Sequence, residues 1–252
     1  MSLLKFYTSE YEGEMVTDSL RWRDGNKTEN GTWTPKTIIN EDPQGCAFVI
    51  GNGPSRLKHN LELFKGQHGG VQIESVGQSY GCNMLYTDFN PTFLICTNLE
   101  IAESISKTDY AENNIVYSNR KCILKYPGLF HLYPHHQPLF SGPAAMRIAC
   151  ADGHTKVFMV GFDLYNETTD HLYPQMRTSY QPITDPAIIN SKLITQMCTI
   201  FDLYDEVEFF HVQSDHSHYN ENIVEQFNWH HNVKTIGIME FMNLAQLGAV
   251  HK

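Results

Sequence analysis

Short apolar runs alternate with helical stretches along this chain from Cys46 onward, and this alternation constrains the fold more than any other feature of the sequence. The run Val157–Val160, for example, is apolar at every position rather than at every second one. Such runs are typical of strands that are covered on both faces, as in parallel sheets. Strands that alternate with helices predict crossover connections and helices on both sides of one sheet.

We therefore predict an α/β fold with a doubly wound, mostly parallel, Rossmann-like sheet. The predicted strands are the apolar runs Cys46–Ile50, Val71–Val76, Thr92–Cys96, Asn114–Tyr117 with Cys122–Leu124, Thr155–Val160, Glu206–Val212 and Val233–Ile238. The predicted helices are Ser55–Lys65, Leu99–Ser106, Gly142–Ala151, Ala187–Tyr204 and Met239–Leu247.

Residues 1–44 precede this alternation and differ from it in composition. They are mostly polar and contain the turn dipeptides Asp24-Gly25 and Asn30-Gly31, which favour tight hairpins. We predict that residues 1–44 form an N-terminal extension, a hairpin or arm packed on the core. Residues 45–252 are predicted to form one nucleotide- or nucleotide-sugar-binding domain.

The formal net charge of −10 argues against general binding to nucleic acids or anionic membranes, since either partner requires a dominant basic surface. No segment reaches the length of a transmembrane helix, and the first residues lack the apolar stretch of a signal peptide. The six cysteines are scattered and form no C-x-x-C pair, which favours a reducing compartment. We therefore expect a cytoplasmic protein, and the sequence leaves a homo-oligomer open.

The segment Gly51–Ser55 directly follows the first predicted strand and has the composition of an anion-binding loop. Its two glycines permit positive φ and close approach of a ligand, its proline suits the first turn of a helix, and Ser55 can cap that helix. The helix N-terminus would present free N–H groups to a phosphate. Arg56 rules out the dinucleotide fingerprint, and a Walker loop would need a lysine. The alternative is an ordinary tight turn between a strand and a helix.

Small and amide side chains recur where other predicted strands end. These positions are Gly81-Cys82-Asn83, Thr97-Asn98, Ser141-Gly142 and Gly161-Phe162-Asp163. Because doubly wound sheets bind ligands at the carboxyl ends of their strands, we expect these residues to share one pocket with the loop Gly51–Ser55. For Asn83 and Asn98 the alternative is turn formation through side-chain to backbone hydrogen bonds. We expect Asp163 to hold its loop rather than to act in an acid–base pair.

The ordered set of these segments resembles the bacterial sialyltransferases that act on lipooligosaccharide, and more distantly other glycosyltransferase-like and pterin-pyrophosphokinase-like proteins. The segments that carry the resemblance are Val49–Leu57, Cys82-Asn83, Cys96–Asn98, Ser141-Gly142 and Val160–Tyr165. The resemblance implies transfer of a sugar from a nucleotide-activated donor, of the CMP-sialic-acid type, to a carbohydrate hydroxyl with inversion. It implies a nucleotide or nucleotide-sugar and a carbohydrate acceptor as partners, and no metal ion or bound cofactor.

The resemblance also implies roles for individual residues. Residues Gly51, Asn52, Gly53 and Ser55 would lie against the nucleotide phosphate or the donor. Asn83 and Asn98 would hydrogen-bond the nucleotide and the donor sugar. Ser141 and Gly142 would contact the sugar portion of the donor. The hydroxyl of Tyr165 would donate to the leaving phosphate, in place of a metal ion.

The resemblance places a histidine general base in a long lid, which corresponds here to residues 166–186 and is shorter than in that family. His171 is our candidate for the base, because a histidine suits deprotonation of a hydroxyl near neutral pH. Tyr173 is our candidate for a second phosphate-binding tyrosine, with Tyr180 as an alternative. The short lid keeps two other hypotheses open: a pyrophosphokinase-like nucleotide-phosphate enzyme that uses Mg²⁺, and a non-catalytic nucleotide- or sugar-binding protein.

The histidines outside the lid fit no established metal motif, including the groups at His135-His136 and Asp215–His218, so we predict no metal site. His211 and Ser214 lie at the end of a predicted strand. They are further candidates for contact with the nucleotide base.

Overall fold

The chain is described from a computed structural model that covers residues 26–27, 33–34, 45–65, 67–68, 71–72, 77–126, 129–133, 138–163, 186–213 and 221–245. Within these residues an eight-stranded parallel sheet forms the centre of the fold. Its strands are β1 (Cys46–Ile50), β2 (Gly77–Cys82), β3 (Phe93–Cys96), β4 (Val116–Ser118), β5 (His131–Leu132), β6 (Lys156–Val160), β7 (Glu208–Gln213) and β8 (Val233–Gly237).

The described helices connect these strands. The α-helices are α1 (Leu99–Ser106), α2 (Tyr110–Asn113), α3 (Arg120–Lys125), α4 (Ser141–Ala151), α5 (Pro186–Leu203), α6 (Glu221–Asn228) and α7 (Ile238–Leu244). The 3₁₀-helices are Pro54–Lys58, Leu61–Lys65 and Asn83–Thr87.

The order of the strands across the sheet is β8-β7-β6-β1-β2-β3-β4-β5. The chain starts in the middle at β1, winds to one edge at β5, and returns to the other side of β1 with β6. The direction of winding therefore reverses between β1 and β6, and doubly wound sheets bind their ligands at such a switch point. This topology confirms the predicted fold class.

Both faces of the sheet are buried, which explains the continuous apolar runs. Within β1, Phe48 and Ile50 face one side of the sheet, while Ala47 and Val49 face the other. The first side packs against α1, α3 and α7, and the second against α4, α5 and α6. Because alternate residues of each strand enter different cores, every position of such a strand is apolar.

The second predicted strand was wrong. The sheet uses Gly77–Cys82, whereas only Val71–Gln72 of the predicted Val71–Val76 is a strand, paired with Gln67–His68. The true strand reads GQSYGC and lacks an apolar run. Gly77 is required there by close packing, because a Cβ atom at this position would clash with the carbonyl oxygen of Cys46 on β1.

Two further expectations about local structure also fail. Cys122–Leu124 belongs to α3, whose N-terminus is capped by the Oδ1 atom of Asn119. Cys122 and Ile123 therefore enter the core from a helix rather than from a strand. The predicted helix Ser55–Lys65 is divided into two 3₁₀-helices, because His59 has an extended backbone. The break allows Phe64 to stack on Phe48 of β1, with ring centroids 4.4 Å apart.

The described part of the N-terminal extension is a small hairpin. Asn26–Lys27 pairs with Trp33–Thr34 in an antiparallel ladder, and the turn predicted at Asn30-Gly31 lies outside the described residues. Packing of residues 1–44 on the core remains a prediction. The six cysteines all lie within the described residues, and they form no disulfide bond. Among the described residues no helix has the length and apolarity to cross a membrane.

A buried polar network lies where β1, β2 and β6 begin, at the edge opposite to the carboxyl ends. The buried hydroxyl of Tyr80 donates to Oδ2 of Asp152 at 2.7 Å and lies 3.0 Å from Nε2 of His154. His154 is buried as well, and burial lowers its pKa. The network joins the turn before β6 to the middle of the sheet.

We predict that Tyr80→Phe lowers the free energy of unfolding by about 1–3 kcal/mol, because it removes the hydrogen bonds of a buried hydroxyl to the half-buried Asp152 and the buried His154. Urea denaturation measures the change. Tyr110→Phe is the control, since its hydroxyl donates to Asn90 at an exposed site, and it should change stability by less than about 0.5 kcal/mol. Equal effects of the two substitutions would contradict the structural role of the network.

Candidate functional site

The loops after β1, β2 and β6 meet at the switch point of the sheet. Gly51 follows β1, Asn83 follows β2, and Gly161 follows β6, with the β1–β6 and β1–β2 pairings bringing the three strand ends to one level. Ser141 at the start of α4 reaches the same level through a hydrogen bond to Asn83. The structure thus brings together most of the predicted site residues that it describes.

The loop Gly51–Ser55 is hydrogen-bonded to the end of β6. The backbone N–H of Gly51 donates to Val160 O at 2.8 Å, and that of Gly53 donates to Gly161 O at 2.9 Å. The glycine at position 51 is required by this contact, because a Cβ atom would lie 2.5 Å from the carbonyl oxygen of Gly161. Close approach between two protein segments, rather than approach of a ligand, therefore accounts for Gly51.

A carboxylate of the protein occupies the turn that was expected to hold a phosphate. The backbone N–H of Ser55 donates to Oδ2 of Asp163 at 2.8 Å, and that of Arg56 donates to Gly53 O at 3.3 Å. Burial raises the pKa of Asp163, and hydrogen bonds from Ser55 oppose this shift. The expected α-helix with free N-terminal N–H groups is therefore wrong: the turn is a short 3₁₀-helix, and Asp163 takes the Ser55 N–H group.

Asn52 offers an acceptor to the crevice rather than a donor. Its side chain is only 6% exposed, and its Nδ2 donates to Cys82 O at 3.1 Å. Its Oδ1 is buried and accepts no hydrogen bond from the described part of the chain. Because an ionised phosphate has only acceptor oxygens, Oδ1 suits a hydroxyl or an N–H group of a ligand.

Ser141, Asn83 and Thr97 form one hydrogen-bonded group. Ser141 Oγ donates to Asn83 Oδ1 at 2.7 Å. Ser141 Oγ also lies 3.1 Å from the backbone N–H of Thr97 and 3.0 Å from Thr97 Oγ1. Since Ser141 has a single hydroxyl proton, Thr97 must be the donor in both of these contacts.

This group fixes how Asn83 is presented. With Oδ1 engaged by Ser141, the other end of the amide, Nδ2, is a donor. The backbone of Asn83 is in the left-handed region, with φ of 50°. Asparagine is one of the few residues other than glycine that adopt this conformation. The end of β2 therefore carries an amide donor at Asn83, next in sequence to Cys82, whose carbonyl oxygen holds the amide of Asn52.

The other predicted ligand-binding residues have structural roles in the described chain. Asn98 caps α1, since its Oδ1 accepts from the backbone N–H groups of Glu100 and Ile101. At Gly142 a Cβ atom would lie 2.8 Å from the ring of Phe162. These contacts agree with the alternative that the sequence left open for Asn98, and ligand contact by either residue remains a prediction.

His211 was a candidate for contact with a nucleotide base, but it is buried inside the fold. Its Nε2 lies 2.8 Å from Phe162 O. Burial lowers the pKa of His211 to about 4, so the ring is neutral near pH 7. Gln213, two residues further on, has its side chain on the same face and ends the strand. The sequence analysis missed it, because an isolated glutamine matches no binding motif.

The remaining predicted residues lie outside the described ranges. They are the catalytic candidates Tyr165 and His171, the phosphate-binding candidates Tyr173 and Tyr180, and Ser214. Their roles stay predictions. Among the described residues, no group of three or more histidine, cysteine, aspartate or glutamate side chains is arranged to hold a metal ion.

Comparisons with known proteins found similarity only at the level of structure. No family model matches the chain, and no curated protein sequence matches it. A structure described as the monofunctional alpha-2,3-sialyltransferase Cst-I from Campylobacter jejuni is similar with a TM-score of 0.47 and 13% identity, over 73% of this chain and 82% of that chain.

Structures of a second sialyltransferase are also similar. One, described as CstII from Campylobacter jejuni in complex with the substrate analogue CMP-3FNeuAc, has a TM-score of 0.43 and 12% identity, over 67% of this chain and 81% of that chain. Another, described as CST-II in complex with a trisaccharide acceptor and CMP, has a TM-score of 0.41 and 13% identity, over 66% of this chain and 79% of that chain. The relation to pterin-pyrophosphokinase-like proteins remains a prediction.

We predict that Gly51→Ala lowers the free energy of unfolding by about 1–3 kcal/mol, because the added methyl group forces apart two backbone segments. Thermal or urea denaturation measures the loss. Lys58→Ala, an exposed change in the adjoining turn, is the control and should be nearly neutral. A fully stable Gly51→Ala variant would show that the two loops are not in close contact.

The neutral state of His211 predicts a loss of stability in acid. The pKa of about 4 in the folded protein lies below the ordinary value of 6.5. The stabilising contribution is therefore complete above about pH 6.5 and is lost as the pH falls toward 4. His59 and His154 also have pKa values lowered by burial, so they add to the same trend.

Urea denaturation between pH 7.5 and 4.5 measures this dependence, with pH values chosen to span roughly the interval between the two pKa values. His211→Gln should reduce the pH dependence, because glutamine can still donate to Phe162 O but does not titrate. His231→Gln, at an exposed position, is the control and should leave the pH dependence as in the wild type. An unchanged slope in His211→Gln would contradict the buried, neutral state of this ring.

Proposed function

We propose that this protein is a glycosyltransferase that binds a nucleotide-activated sugar, with CMP-sialic acid as the favoured type, and transfers the sugar to a carbohydrate hydroxyl. The proposal is supported above all by the amides of Asn52 and Asn83, which follow the adjacent strands β1 and β2 at the switch point. One presents an acceptor and the other a donor. The ordered motifs that resemble lipooligosaccharide sialyltransferases support the same class of reaction.

The paired amides suit the chemistry of sugars. A ribose or sugar hydroxyl both donates and accepts, so hydroxyl groups of a donor can satisfy both Asn52 Oδ1 and Asn83 Nδ2. The carboxylate of a sialic-acid-type sugar would accept from Asn83 Nδ2. Both amides are held by contacts to the protein, Asn52 by Cys82 O and Asn83 by Ser141, and such preorganisation reduces the entropy lost on binding.

The phosphate is assigned to the lid rather than to the loop after β1. The Asp163 carboxylate would repel a phosphate placed at Ser55, since the two negative charges would lie close together in a partly buried site. Tyrosine hydroxyls carry no charge and can donate to the departing phosphate. Tyr165 and Tyr173, from the resemblance, are the proposed donors.

The proposed reaction is a single displacement at the anomeric carbon. The acceptor hydroxyl forms the new bond to this carbon while the bond to the phosphate oxygen breaks, and the nucleotide leaves with the bonding electrons. The proton of the acceptor hydroxyl passes to the general base, for which His171 is the proposed residue. Attack opposite to the leaving group inverts the anomeric centre, and metal ions take no part.

Binding of CMP is the first test. We expect CMP to raise the melting temperature in the presence of EDTA, because the proposed site uses no metal ion. Asn52→Ala should weaken CMP binding about tenfold by calorimetry, since it removes a buried acceptor. Asn228→Ala, an exposed amide on α6, is the matched control and should bind as the wild type does.

The outcome of this test separates the competing functions. Failure of CMP to bind, or stabilisation by ATP only when Mg²⁺ is present, would overturn the proposal in favour of a nucleotide-phosphate enzyme. Binding of CMP-sialic acid without transfer or hydrolysis would indicate a non-catalytic binding protein. For an active enzyme, His171→Ala should reduce turnover by two orders of magnitude or more while CMP affinity is kept, because a general base contributes about 10²–10⁴-fold.

A further inference from the structure

A chain of hydrogen bonds fixes the state of the side chains at the end of β7. Phe162 O can only accept a hydrogen bond, so Nε2 of His211, 2.8 Å away, carries the proton. In a neutral ring the other nitrogen, Nδ1, is then an acceptor. Nε2 of Gln213 lies 3.5 Å from this Nδ1. The amide of Gln213 is therefore oriented with its NH₂ group toward His211.

This orientation leaves Oε1 of Gln213 as an acceptor without a partner. Gln213 is only 7% exposed, and Oε1 is buried and accepts no hydrogen bond from the residues that the structure describes. Buried side-chain acceptors are usually satisfied, and one that is not calls for a water molecule or a ligand. The acceptor is well suited to an N–H group.

Gln213 lies on the opposite side of the crevice from Asn52. Met159 of β6 pairs with His211 of β7, so Gly161 lies level with Gln213 two residues later. Gly161 in turn accepts from Gly53 of the loop after β1. Adjacent strands are about 4.8 Å apart, so β1 and β7 are separated by roughly 10 Å, which is about the length of a nucleoside.

We propose that Gln213 Oε1 accepts a hydrogen bond from the amino group of the nucleobase, so that the site selects cytosine over uracil. The proposal rests on the proposed function and deepens it. Cytosine carries an exocyclic amine that donates, whereas uracil carries a carbonyl oxygen at the same position. A uracil carbonyl would face Oε1 with two acceptors in contact, and unpaired buried acceptors strongly disfavour the wrong ligand.

The surroundings favour a base over a sugar or a phosphate at this position. Gln213 and His211 are neutral, and His211 packs against the ring of Phe227 with centroids 5.3 Å apart. Phe162, whose carbonyl holds His211, is buried. An uncharged wall with one orphan acceptor and aromatic neighbours matches a flat heterocycle with one amine. A sugar requires several polar partners, and a phosphate requires donors.

Calorimetric titration of CMP and UMP into the wild-type protein and Gln213→Met tests the proposal. The wild type should bind CMP about tenfold or more tightly than UMP, as expected for one hydrogen bond in a desolvated site. Gln213→Met keeps the length of the side chain and removes the acceptor. We expect it to weaken CMP binding about tenfold without weakening UMP binding, because the contact between two acceptors is removed as well, so that the preference disappears.

Asn52→Ala provides the matched comparison, because Asn52 lies at the opposite side of the proposed nucleotide site. This substitution should weaken the binding of CMP and of UMP by the same factor, so that the preference for CMP is kept. A second measurement needs no variant: the nucleotide of pyrimidin-2-one, which has hydrogen in place of the 4-amino group, should bind the wild type about tenfold more weakly than CMP.

Failure of this inference can be distinguished from failure of the proposed function. If CMP binds but Gln213→Met and the pyrimidin-2-one nucleotide both keep full affinity, the role of Gln213 is refuted and the proposed function stands. If Gln213→Met fails to fold, the pyrimidin-2-one measurement decides alone. If neither CMP nor UMP binds the wild type, the proposed function fails and this inference fails with it.

Discussion

The backbone contact between the ends of β1 and β6 is the constraint on which the carboxyl edge of the sheet depends. Gly53 N–H donates to Gly161 O across the switch point, and the missing side chain of Gly51 leaves room for the same carbonyl. This contact brings Asp163 within reach of the Ser55 N–H group. The following buried side chain, Arg56, then pairs with Asp88 at 2.7 Å. The loops after β1, β2 and β6 thus form one connected unit.

The same constraint determines the charge distribution of the crevice. An acidic side chain occupies the turn after β1, where an anion-binding loop would offer N–H groups to a phosphate. The side chains held around it, Asn52, Asn83 and His211, are neutral. The neutral hydrogen-bonding groups of these three side chains suit the nucleoside and sugar portions of the proposed donor.

The apolar pattern of the sequence predicted the architecture, because burial of both faces makes the residues of a central strand apolar, as in β1 and in Val157–Val160 of β6. The same rule missed β2, because its residues are not all apolar. Gly77 leaves room for the backbone of β1, and Ser79 Oγ accepts a hydrogen bond from the backbone N–H of Thr92. The location of Asn52 and Asn83 at the switch point was also predictable. Which end of each amide is free was not, because it depends on contacts with Cys82 and Ser141 that are distant in sequence.

Three consecutive residues after β6 connect the two ends of the proposed nucleotide site. Gly161 O holds the loop after β1, Phe162 O holds His211 on β7, and the Asp163 carboxylate holds the Ser55 turn. The contacts of Gly161 and Asp163 fix the loop that carries Asn52, and the contact of Phe162 fixes the strand end that carries Gln213. The distance between the two unpaired acceptors, Asn52 Oδ1 and Gln213 Oε1, is therefore set by the end of one strand. Because these side chains are already fixed in the free protein, they would lose little conformational entropy when a nucleotide binds.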